Sequence, residues 1–141
     1  MFLDKIQMLA KDNTVIGTYA LNYNAQALPA STSRARDYWG YYNGQTANTT
    51  LIPAFSFDAI GYASNPNPIT YNIVNGANRA VNSSLAQAWM LNKITYPTGG
   101  FTNFTYESNQ YADGTGNNLA GGLRIAQIVS NDGSNITTTK T

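Results

Sequence analysis

Neither cysteine nor histidine occurs among the 141 residues of this chain. Without cysteine there is no disulfide and no thiol nucleophile, and without histidine as well there is no ordinary structural zinc site. The missing histidine also removes the commonest general base and metal ligand. Charge is scarce too: 11 % of residues are charged, with eight Lys/Arg against seven Asp/Glu and a formal net charge of +1. No basic run occurs, so the electrostatic footprint of a nucleic-acid binder is absent, and nothing favours an anionic membrane surface. No apolar run approaches the ~18 to 20 residues that span a bilayer. Met1 to Ala10 carries Asp4 and Lys5 where a signal peptide needs an unbroken apolar stretch. The sequence therefore reads either as a cytosolic chain or, the preferred reading, as a piece of a longer chain whose targeting signals lie elsewhere.

The acids, Asp4, Asp12, Asp37, Asp58, Glu107, Asp113 and Asp132, are scattered, whereas a glycosidase needs two carboxylates across one sugar bond. Asp37 is the only acid embedded in aromatics, and acids in turns and caps are far commoner than catalytic ones. Asp113-Gly-Thr-Gly-Asn-Asn118 opens like a calcium loop. It lacks the glycine at the sixth place and the closing glutamate at the twelfth, where Arg124 stands. No enzyme, cofactor or metal site is expected.

What the chain does contain is strand and turn chemistry. Aromatics make up 12 % of it, ten of them tyrosine, a profile that argues against disorder. From Met90 to Glu107, Leu91, Ile94 and Tyr96 precede a Pro97-Thr-Gly-Gly100 turn, and Phe101, Phe104 and Tyr106 follow it. Proline presets φ for a turn corner and glycine accepts positive φ, so this run predicts a hairpin. The pattern has two echoes. Phe2-Leu-Asp-Lys-Ile-Gln7 leads through Lys11-Asp-Asn13 into Thr18-Tyr-Ala-Leu-Asn-Tyr23. Gly122-Leu-Arg-Ile-Ala-Gln-Ile128 leads through Asn131-Asp-Gly-Ser134 into Ile136-Thr-Thr-Thr-Lys140.

The expectation is a single, mainly β module in which antiparallel hairpin repeats form a sheet. Its hairpin units cover about 2–23, 90–107 and 122–140, with an irregular aromatic-rich insertion over 24–82. Inside the insertion, Leu51 to Phe57 reads as a short edge strand, because Pro53 cannot donate to a ladder. Asn65-Pro-Asn-Pro68 reads as a rigid loop and Ile69 to Val74 as a strand. Ser84 to Leu91 predicts one short helix, capped by Asn82 or Ser83, with Leu85, Ala88 and Trp89 on one face. Asn109 to Gly122 is rich in Gly and Asn and reads as an exposed loop.

Leu91 to Glu107 resembles a YD repeat of the Rhs-like family: a basic-apolar strand, a Pro/Gly turn, then a strand ending Phe-x-Tyr-Glu. Arg36-Asp-Tyr-Trp-Gly-Tyr-Tyr-Asn-Gly44 and Gly121-Gly-Leu-Arg-Ile125 resemble parts of large surface proteins of Bacteroidetes-type bacteria that carry such repeats. The resemblance implies a shell-like β segment of an extracellular or cell-surface protein, acting as a non-catalytic scaffold beside neighbouring repeats of the same chain. Open strand edges would also allow self-association.

The alternative is a carbohydrate-binding or adhesive module. Tyr38, Trp39, Tyr41 and Tyr42 offer ring faces for sugars, and Asn43 offers an amide for their hydroxyls. Against it stands the commoner use of such rings as a core plug, since each buries ~150 to 250 Å².

Overall fold

The computed structural model of the protein describes residues 2–59 and 69–141. Among them, six strands form one antiparallel sheet: β1 (Lys5–Leu9), β2 (Val15–Tyr23), β5 (Leu91–Thr95), β6 (Phe101–Ala112), β7 (Asn117–Asn131) and β8 (Thr137–Lys140). They lie side by side in chain order, each hydrogen-bonded to the next, so the three hairpins read from the sequence become three adjacent strand pairs. The insertion leaves the sheet after β2 and returns as β5 directly beside it. It carries a separate two-stranded hairpin, β3 (Phe55–Ala59) with β4 (Ile69–Ile73).

Three of the four turns in the sheet rest on one device. Asp12 accepts the Thr14 amide at 3.1 Å, Asp113 the Thr115 amide at 2.9 Å, and Asp132 the Ser134 amide at 2.8 Å. In each case the hydroxyl of the same Thr or Ser also donates to the aspartate. An aspartate that binds its own backbone two residues on mimics a turn and closes the hairpin locally. The fourth turn, Pro97 to Gly100, uses proline and a glycine at φ 86° instead.

Register sorts the side chains by face. Tyr19, Leu21, Ile94, Tyr96, Phe104 and Ile128 share one face, and Thr18, Thr95, Asn103 and Asn131 lie on the other. On the apolar face Tyr19 and Tyr96 meet edge to face at 6.0 Å. From Tyr96 a hydrogen-bonded chain of hydroxyls runs through Thr102 to Ser130, at 2.9 and 3.0 Å. No second sheet or helix covers this face among the described residues, and its apolar side chains are only half-buried. Among the described residues the buried apolar ones are four alanines, Ala35, Ala77, Ala86 and Ala88, all between β2 and β5. Among the described residues the six-stranded sheet is a single open layer.

The predicted helix is a correction: Ser84 to Leu91 forms only a three-residue 3₁₀ turn, Leu85–Gln87. Trp89 adopts φ 57° and ends the turn. Its indole stacks on Phe2 at 4.2 Å with the rings parallel, and this contact with the other end of the chain outweighs the local helical spacing. The exposed loop expected over Asn109 to Gly122 is likewise mostly strand, with β6 and β7 pairing as far as Ala112 and Asn117. The edge strand begins at Phe55 rather than Leu51, while Pro53 makes only an isolated bridge to Ala77. The Asn65–Pro68 loop lies outside the described residues. No helix among the described residues is long and apolar enough to cross a membrane.

Candidate functional site

The aromatic segment folds around Asp37, which is fully buried. Its Oδ1 accepts the amides of Trp39 and Tyr41, both at 2.9 Å, and its own amide donates to the Tyr41 carbonyl at 2.8 Å. Gly40, at φ 96°, makes the reversal, and an Arg36–Tyr42 bridge closes the loop. The loop pushes Tyr38, Trp39 and Tyr41 outward, 60 %, 53 % and 40 % exposed, so these rings do not plug a core.

Two asparagines and one arginine then fix the loop to the chain's return. Asn43 is 2 % exposed, and its Nδ2 donates to the carbonyls of Asn78 and Ala80, both at 3.1 Å. Asn48 exchanges hydrogen bonds with Asn78 at 3.0 Å. Arg79 donates to the carbonyls of Arg36, Leu51 and Asp37, and its guanidinium lies 5.1 Å from the Tyr38 ring centre. Asn43, expected from sequence to face a ligand, is instead a buried staple with its amide committed.

Sequence reasoning missed what lies across from these rings. Trp39 sits directly on Gly121 of β7: a Cβ there would come within 2.5 Å of the Trp39 side chain. The Tyr41 hydroxyl approaches Gly122, whose φ of 88° bends the strand under the loop. A glycine pair inside a strand is a signal for close approach of another segment. Between loop and strand runs an open groove of about 370 Å³, in which Tyr38, Trp39 and Arg79 face Tyr111, Asn118 and Leu119. Tyr42 lies apart, lining a second depression with Leu28, Pro29 and Ser33. The five sequence-predicted residues therefore divide: two line the groove, Tyr41 packs at its root, Tyr42 faces elsewhere, and Asn43 is buried.

The charges near the groove are held. Asp113 lies below the usual carboxylate value of 3.8, first because of the Thr115 hydroxyl and then the Thr115 amide, with Asn118 adding to both. Asn118 Nδ2 donates to Asp113 Oδ2 at 2.6 Å, which fixes the amide beside the groove. Among the described residues no group of three or more acids stands together to hold a metal ion.

No family model, curated protein or solved structure matches this chain.

Proposed function

We propose that the chain is a non-catalytic structural module of a YD-repeat-like bacterial surface or secreted protein, in which its sheet forms a stretch of wall. The observation that carries this reading is the strand order: hairpin follows hairpin across a single open layer, with β1 and β8 as free edges. Such edges carry unpaired amides and carbonyls that template a further strand.

The edges suit continuation. Leu21 donates to the Asp4 carbonyl, so by the alternation of an antiparallel ladder Ile6 and Met8 bond inward while Lys5 and Gln7 point out of the edge. Asp132 donates to the Ile136 carbonyl, which by the same rule turns Thr137 and Thr139 outward on β8. All four residues belong to the sheet face that carries Thr18, Thr95 and Asn131, so pairing β8 with a following β1-like strand continues both faces. Six alternating strands also make β8 antiparallel to that newcomer.

Sedimentation velocity over a concentration series tests the reading on the isolated chain. Concentration-dependent association is expected, and Gln7→Pro should abolish it, since the lost N–H serves no internal ladder bond. A strictly monomeric wild-type chain at high concentration would count against open, pairing-competent edges.

A further inference from the structure

The groove between the aromatic loop and the β6–β7 hairpin has properties that a wall does not require. Its volume of about 370 Å³ falls within the ~300 to 1,000 Å³ range of small-ligand sites. Trp39 is seated from behind on Gly121 and keeps about half of its surface in solvent. Tyr38 stands perpendicular to it, 6.3 Å away at 88°, and is backed by the Arg79 guanidinium. Both rings are thus held before any ligand arrives, which lowers the ordering cost of binding.

The polar inventory narrows the ligand. Among the described residues Arg79 is the only charged side chain lining the groove, and it is closed on three backbone carbonyls. What stays free among the described residues is neutral: the Tyr38 and Tyr111 hydroxyls, the Trp39 indole N–H and the Asn118 side-chain carbonyl. A ligand that suits this set is uncharged, with one apolar face for the indole and a rim of hydroxyls for the surrounding donors and acceptors. A pyranose ring has that form.

We propose that this groove is a binding site for a neutral oligosaccharide, with Trp39 as the stacking platform and Tyr38, Tyr111 and Asn118 contacting the hydroxyl rim. Leu119, two residues before Gly121 on β7, also lines the groove. The site needs no free sheet edge, so it is independent of the chain's role in a wall.

The test is titration calorimetry of the full chain with linear neutral gluco-, xylo- and manno-oligosaccharides, and with an oligogalacturonate as the acidic comparison. At least one neutral series should bind. Trp39→Ala should lower its association constant about tenfold or more, as loss of a central aromatic anchor does. Tyr111→Phe, which removes only a hydroxyl, should weaken binding severalfold, and Tyr71→Ala on the remote β3–β4 hairpin should leave it unchanged. If Trp39→Ala loses its β-sheet circular dichroism, Tyr111→Phe and Leu119→Ala carry the test. Failure of every neutral series to bind, binding untouched by the groove variants, or preference for the oligogalacturonate would overturn the assignment.

Discussion

Gly121 and Trp39 are the pair on which the position of the aromatic loop turns. The sequence places the residues far apart, and only the docking of the insertion on β7 brings the indole over a backbone with no side chain. Gly121→Ala puts a methyl group into space the Trp39 Cβ and ring already fill, so the loop must shift. The expected cost is ~1 to 3 kcal/mol, the usual penalty for overpacking, read by urea denaturation, together with greater acrylamide quenching of Trp39 in a Trp89→Phe background. An unchanged midpoint and unchanged quenching would show that the loop does not rest there. Asn43 illustrates the same scale from the other side. Beside Tyr42 in sequence it looks like a ligand contact, yet its amide satisfies two carbonyls that burial would otherwise leave costly.

At the scale of elements, the three Asp-x-Thr/Ser turns give a pH prediction. The Thr14 hydroxyl first and then its amide hold Asp12 below the usual 3.8; Thr115 does the same for Asp113. For Asp132 the Ser134 amide leads and its hydroxyl follows. A carboxylate whose folded value is depressed contributes stability that is present above its unfolded value and lost as pH falls through the folded one. With no histidine in the chain, thermal midpoints should be flat between about pH 5 and 8 and fall only below about pH 4. A midpoint that drops between those limits would contradict this. The hairpins were legible in the sequence because turn residues and β-rich runs are local signals that agreed with each other. The helix over Ser84 to Leu91 was misread because its spacing is also local, whereas Trp89 takes positive φ to stack on Phe2. Asn109 to Gly122 was misread as loop because its composition is polar and glycine-rich, while two long strands zip through it. Half of the groove was equally hidden: Tyr38 and Trp39 stand out in sequence, but Arg79, Tyr111 and Leu119 join them only through topology.

At the scale of the whole molecule, the chain builds little interior. Among the described residues the apolar sheet face is half-buried, the buried apolar residues are alanines, and many large apolar side chains stand exposed. The proposed wall continues through the edges of the sheet, and the central claim is that β8 of one unit accepts a β1-type strand of the next. The absence of cysteine makes this directly measurable. Chains carrying Gln7→Cys are mixed with chains carrying Thr137→Cys and oxidised gently, and the cross-linked species are separated by mass. A head-to-tail edge predicts that the mixed disulfide between residues 7 and 137 dominates over both like-with-like dimers. No mixed species, or only like-with-like dimers, would contradict the continuing wall.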